Sequence, residues 1–427
     1  MRRKNTFNAT PLFDAHRAFV RSSPGLAMLD DYPDSKRFID NLSQQIPAIN
    51  QDYLHTQAFL RSYSRKSEAT YRSYRNEVER LLLWAWTEAE KSVVDLRRPD
   101  LENYFDFAHK PHPKWIGDSV QERFKAIGGE YRQNQNWRPF VAKISKKDRK
   151  KALAGGSDIA PHKSGHTLSG EAMKICFSAI ACFYDYLVDE GYAVGNPIPA
   201  IRKQSPYLIK GATQKSVKRL SDLQWQYVLD CTRAAADLNA QYERMLFVVA
   251  LLKTLYLRVS ELSDRPNWQP VWQHFWQDSE GNHWLKVLGK GNKLRDVSVP
   301  SALFPYIERY QQYRVQLTSS FGSNSPLVVK NRGSGGMTSR QLRRIVQQAF
   351  DIAYDKMVSE GFVDEAKALR EATTHWLRHT GASQDINSRP LKHMADDLGH
   401  ASMGTTDQVY IQSDMKERAR SGKSRKI

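Results

Sequence analysis

The sequence predicts a mainly α-helical chain with a small β-sheet, an α+β protein with two principal domains. Three observations predict this. Apolar residues recur at three- and four-residue spacing through most of the chain. One pair of strand-like segments flanks a glycine-rich turn. A basic stretch poor in large apolar residues divides the 427 residues into halves long enough to bury separate cores.

In order along the chain, residues 1–48 combine Pro, Ser and charge with weak periodicity and a turn at Asp30–Pro33, and predict an appendage without an assigned role. A helical domain follows over 49–203. Ser67 is its clearest N-cap, and Tyr71, Tyr74, Val78, Leu81 and Ala85 then share one helix face. Arg72, Arg75 and Arg80 fall off that stripe, as a solvated basic face or a clasp for phosphates. A further helix starts near Pro99, and a strongly apolar one spans Leu168–Leu187 and stops at Gly191.

Between them, about 110–166, Pro111, Pro113, Gly128, Gly129, Gly155 and Gly156 break the pattern. This predicts an insertion with some helix and a basic loop carrying Lys146, Lys147 and Lys150. His162 and His166 have the spacing of helical metal ligands, but Pro161 and Gly165 oppose a helix and no second ligand pair is evident, so no metal site is expected.

The basic linker occupies 204–219, directly after Arg202 and Lys203, which open the basic run. The second domain, 220–427, opens with a helix capped by Ser221 and continues with an apolar helix over about Tyr242–Leu257. Strands at Trp284–Leu288 and Val297–Val299 flank the turn GKGNK, and Thr338 or Ser339 caps a later helix.

The formal charge of +18 suits a polyanionic partner, although ribosomal and membrane-surface proteins share such a balance. No apolar run approaches the roughly 20 residues needed to cross a bilayer. The N-terminal sequence lacks the apolar segment of a secretory signal, so a cytoplasmic protein is expected. Cys176, Cys182 and Cys231 contain no CxxC pair and predict reduced thiols.

Five short motifs in the second domain carry the chemistry: LLKTLYLRVSEL with Arg258 and Glu261, LGKGNKLRDVSVP with Lys290, THWLRHTGAS with His375 and Arg378, DDLGHASM with His400, and TTDQVY with Tyr410. Singly, each reads as easily as a surface ion pair, a hairpin turn or a solvated helix face. Their order is more specific. The sequence resembles the tyrosine recombinase (phage integrase) family, whose pattern is Arg, Lys in a β-hairpin, HxxR, LGH and then TTxxY. The segments YSRKSEATYRSYRNEVERLLLWA and FYDYLVDEGYAVGNPI resemble the family's helical core-binding domain, so the halves are expected to be that domain and a tyrosine-recombinase catalytic domain.

The resemblance implies a nucleoid-associated DNA strand-transferase that cleaves and rejoins double-stranded DNA through a 3′-phosphotyrosine. Two rigid guanidinium forks, Arg258 and Arg378, suit the non-bridging oxygens of a phosphodiester. Lys290 is implied as the general acid for the leaving 5′ oxygen, with Lys293 as its competitor. His375 and His400 would hydrogen-bond the phosphate or move the proton of Tyr410, the implied nucleophile, and Glu261 would orient Arg258 or a neighbour. The linkage conserves bond energy, so no cofactor is expected. His400 to Tyr410 is one residue longer than the commoner family spacing, with Asp407 as the extra residue.

A homo-oligomer, a tetramer on two DNA sites, is implied, with an accessory protein as a further candidate partner and no membrane. The basic tail after Tyr410 would pack on a neighbouring protomer or remain solvated. Arg72, Arg75, Lys146, Lys147, Lys150, Arg202, Lys203 and Lys293 are the candidate DNA-contacting residues. Integration, excision or transposition of a mobile element is the expected process. A type IB topoisomerase-like relaxing enzyme and a catalytically silent DNA-binding regulator are the rival readings.

Overall fold

Both halves of the chain are built on helices whose apolar faces pack together and whose first turns are closed by side-chain caps. The computed structural model describes residues 9–65, 67–142, 163, 165–208, 218–318, 321–330, 332–386 and 388–400. It separates into two compact units, residues 1–212 and 213–427, each with its own core.

The first unit contains α1 (His16–Arg21), α2 (Pro33–Ser43), α3 (Ile49–Ser64), α4 (Glu68–Thr87), α5 (Arg98–His109), α6 (Gly170–Asp189) and α7 (Ile198–Gln204). Ser67 caps α4 by accepting from the Thr70 N–H, and Ser169 caps α6 by accepting from Ala172. The expected stripe on α4 is inward: Tyr71, Val78, Leu81 and Ala85 are buried, with α3 and α6 packed against the helix. Phe105 of α5 stacks on Phe177 of α6 with ring centroids 3.8 Å apart.

Two segments differ from expectation. Residues 9–48 are part of the core, not an appendage outside it: Phe13, Phe19, Met28 and Ile39 are fully buried. The Glu79 carboxylate on α4 accepts the Leu12 N–H at 2.7 Å and the Phe13 N–H at 3.2 Å, tying down the start of the described chain. Short elements separated by turns present too few apolar residues in sequence to reveal a period.

Residues 110–142 hold one 3-10 turn, Pro113–Trp115, and four short strands, where an insertion with some helix and a basic loop was expected. The parallel pair β1 (Ile116–Gly117) and β4 (Phe140–Val141) brackets the hairpin β2 (Phe124–Ile127)–β3 (Glu130–Gln133). Gly128 and Gly129 make its two-residue turn with φ of 61° and 87°, the left-handed pair a tight hairpin needs. Trp115 and Phe140 anchor these strands in the core. Lys146, Lys147 and Lys150 lie outside the described residues.

The second unit contains α8 (Asp222–Leu238), α9 (Glu243–Thr254), β5 (Phe275–Gln277), β6 (His283–Leu288), β7 (Leu294–Ser298), α10 (Phe304–Leu317), α11 (Ser339–Ser359), α12 (Val363–Glu371), α13 (Thr374–Asp385) and α14 (Leu391–Leu398). Ser221 and Thr338 form capping boxes with Gln224 and Gln341. The apolar α9 is central, with α8, α10, α11 and α13 packed around it. The sheet is an antiparallel meander, β5-β6-β7, whose first strand the sequence pattern did not predict.

Helix α9 ends three residues earlier than expected, because Tyr256 takes a left-handed φ of 50°. The Tyr256 phenol donates to Asp385 at the end of α13. Among the described residues, no helix is long and apolar enough to cross a membrane.

Candidate active site

The final carbonyls of an α-helix have no partner inside it and carry the negative end of its dipole. On α14 three arginines fill this need. Arg295 Nε donates to the Asp397 carbonyl at 2.9 Å, and Arg258 Nη1 and Arg378 Nη2 both donate to the Leu398 carbonyl, at 3.4 and 2.6 Å. Arg378 also donates to the buried Tyr256 carbonyl at 2.5 Å, just beyond the end of α9. Two guanidiniums from segments 120 residues apart in sequence thus meet on one oxygen (258 to 378).

Glu261 is almost wholly buried and organises this cluster. Its carboxylate accepts the Arg258 backbone N–H at 2.8 Å and Arg258 Nη1 at 3.0 Å. It also accepts both terminal nitrogens of Arg295, at 2.8 and 3.0 Å. Burial alone would raise the Glu261 carboxyl. The Arg295 bonds and charge, the Arg258 N–H and the Arg378 charge outweigh it and hold the group below its ordinary value.

Lys290 is exposed in the β6–β7 turn, where Gly291 and Asn292 take φ of 75° and 57°. The preceding Gly289 closes the turn by donating to the Lys293 carbonyl at 2.8 Å. A β-carbon at Gly289 would stand 3.0 Å from Arg295 Nη1, so the base of this turn rests on the Arg295–Glu261 pair. Lys293, in the same turn, is also exposed.

His400 follows Gly399, whose φ of 63° caps α14 and turns the chain back. Its Nε2 lies 3.4 Å from Arg378 Nη2. Desolvation, then the charges of Arg378, Arg258 and Arg295, push the His400 imidazole down to about 4. His375 is exposed on α13; partial desolvation by its neighbours, then Arg378, Arg258 and Arg343, lower it. The structure thus gathers Arg258, Glu261, Arg378 and His400 by direct bonds and places His375 within their field. Tyr410 lies outside the described residues.

Two residues of this cluster were not singled out from the sequence. Arg295 shares a strand face with Val297, so alternation would have placed its charge inward. His379 is one helical turn beyond His375, with ring centroids 6.0 Å apart, and desolvation with the His375 and Arg378 charges takes it to about 4.

Of the residues proposed from sequence to touch phosphates, Arg72, Arg202 and Lys203 are exposed. Arg75 does not join them. It is buried, donates to the Asp14 carbonyl at 2.6 Å and lies over the Tyr71 ring, because α4 packs this face against the N-terminal segment. Desolvation and the nearby Arg123 charge lower its guanidinium to about 10. Among the described residues, no group of three His, Cys, Asp or Glu side chains is arranged to hold a metal.

The guanidinium–histidine cluster, with an exposed lysine in the adjoining β-hairpin turn, concentrates positive charge and hydrogen-bond donors of the kind that suit an anionic group. The phage integrase family model matches residues 226–417, which contain the whole cluster. The tyrosine recombinase XerC of Alcanivorax borkumensis is 28% identical over 263 residues, covering 60% of this chain and 73% of that protein. The tyrosine recombinase XerC of Halalkalibacterium halodurans is 30% identical over 241 residues, covering 55% of this chain and 68% of its own. In fold, the chain is similar to the XerH site-specific recombinase bound to palindromic difH substrate, with a TM-score of 0.56, 14% identity and 98% of each chain covered. The chain belongs to the tyrosine recombinase (phage integrase) family and is a DNA strand-transferring enzyme.

Proposed function

We propose that the chain is a site-specific recombinase that cleaves and rejoins double-stranded DNA through a 3′-phosphotyrosine at Tyr410. The observation that carries this reading is the meeting of Arg258 and Arg378 on the Leu398 carbonyl, with His400 3.4 Å from Arg378. A phosphodiester repels nucleophiles by its charge, and its alkoxide leaves poorly. Arg258 and Arg378 offer paired positive charge for the two non-bridging oxygens.

In this mechanism the Tyr410 oxygen attacks phosphorus as the bond to the 5′ oxygen breaks, and Lys290 supplies the proton that the leaving oxygen takes up. His375 and His400, held neutral near pH 7, donate hydrogen bonds to the phosphate or receive the Tyr410 proton. Attack of a different 5′ hydroxyl on the phosphotyrosine then rejoins the strand and frees the tyrosine. Integration, excision or transposition of a mobile element is the proposed process. A tetramer on two DNA sites is the proposed assembly, with residues 9–203, the N-terminal segment included in its core, as core-binding domain and 220–427 as catalytic domain. Arg72, Lys146, Lys147, Lys150, Arg202, Lys203 and Lys293 are its proposed phosphate contacts.

The test is a pool of nicked suicide duplexes tiling the DNA that flanks the gene of this chain. The wild-type protein is expected to leave a covalent protein–DNA band whose modified peptide contains Tyr410. Tyr410→Phe is expected to leave none. A band that persists in that variant overturns the nucleophile.

A further inference from the structure

Glu261 is one carboxylate between two guanidiniums, and how it divides itself between them is unequal. Arg295 grips it fork to fork with both terminal nitrogens, whereas Arg258 gives it a single side-chain bond and its backbone N–H. Arg295 is itself caged. A β-carbon at Gly399 would stand 3.1 Å from its Cδ, Nε and Cζ, and one at Gly289 would stand 3.0 Å from its Nη1. Its Nε is fixed on the Asp397 carbonyl. Three segments therefore close around this side chain: the Arg258–Glu261 loop, the turn carrying Lys290 and the cap that precedes His400.

We propose that Arg295 is a positioning residue that takes up most of the Glu261 carboxylate, so that Arg258, held to it by one side-chain bond only, keeps the rest of its guanidinium for the phosphate. A buried carboxylate must find partners. With Arg295 removed, Arg258 is the adjacent cation on its own loop, and the carboxylate draws that guanidinium into the bidentate geometry Arg295 now occupies. Arg258 then leaves the Leu398 carbonyl, and the pair of guanidiniums is lost. Arg295 touches no reacting atom in this account; it acts through Glu261. The inference rests on the proposed phosphate-binding role of Arg258.

The test compares Arg295→Gln, Arg295→Lys, Glu261→Gln/Arg295→Gln and Arg258→Ala in the full chain, by single-turnover adduct formation on the nicked duplexes and by crystal structures. Arg295→Gln is expected to slow the adduct at least about tenfold while duplex affinity stays within about twofold. The double variant, having no carboxylate to capture Arg258, is expected to recover most of that loss, which a residue serving only as a strut would not show. Arg295→Lys keeps the charge and is expected to fall between wild type and Arg295→Gln. The Arg295→Gln crystal structure is expected to show Arg258 forked on Glu261. Arg258 still on the Leu398 carbonyl in that structure, a double variant no faster than the single, or Arg295→Lys as slow as Arg295→Gln overturns the proposal. Wild-type cleavage by Arg258→Ala would instead overturn the reading of the site on which it rests.

Discussion

Gly381 of α13 lies against Lys253 of α9 so closely that a β-carbon there would overlap the Lys253 carbonyl oxygen and crowd the Tyr256 ring. This approach lets Arg378, three residues earlier on α13, reach the buried carbonyl of Tyr256. Gly381→Ala is expected to push the two helices apart. Overpacking of this kind costs about 1–3 kcal/mol, measurable as a lower urea midpoint. Adduct formation should fall with it, because Arg378 loses an anchor.

The acid side of the stability profile is the second prediction. His375, His379 and His400 all have folded values below the ordinary imidazole value, the last two at about 4. The unfolded chain therefore binds more protons as pH falls below about 6.5, and stability must decline between there and about 4. Above that window these groups contribute no slope. Urea midpoints across pH should show the decline, and His400→Asn should make it shallower. An unchanged slope in that variant would remove His400 as a source.

Salt dependence separates the exposed arginines from the buried one. Arg72→Ala should reduce the slope of log affinity against log salt by about 0.9 if the side chain neutralises one phosphate of a nonspecific duplex. The same comparison applies to Arg202→Ala and Lys203→Ala. Arg75→Ala should leave the slope alone and cost about 1–3 kcal/mol of stability, because the Asp14 carbonyl loses its charged donor and keeps only the Tyr71 hydroxyl.

A chain beginning at Ile49 supplies the fourth prediction. It would lack Phe13, Phe19, Met28 and Ile39 from the first core and the two N–H donors that Glu79 accepts. The shortened protein should lose cooperative unfolding of its first unit, seen as a missing calorimetric transition. A native transition in the shortened chain would show that residues 9–48 are dispensable for the fold.

What the sequence made legible was what is local. Ser67, Ser221 and Thr338 cap helices because a hydroxyl three residues before a free N–H suffices, and no distant partner is needed. The β6–β7 turn was equally readable from its glycines. Arg258, Arg378 and His400 were found through motif order, but their meeting on α14 depends on contacts across more than 100 residues for the first pair. Arg295 was missed because its role depends on Glu261, 34 positions away; alternation with Val297 turns its charge inward but does not name the partner. The burial of Arg75 was hidden for the same reason: its acceptor is Asp14, 61 positions earlier.

The shared acceptor at Leu398 also couples the two guanidiniums to one peptide group. Rotating the last turn of α14 swings a single peptide group, and both guanidiniums lose this meeting point together, Arg378 keeping the Tyr256 carbonyl and Arg258 keeping Glu261. Adding one residue within α14 would turn that group by about 100° around the helix axis. The length of this eight-residue helix is therefore as much a determinant of chemistry as the identity of any side chain it carries.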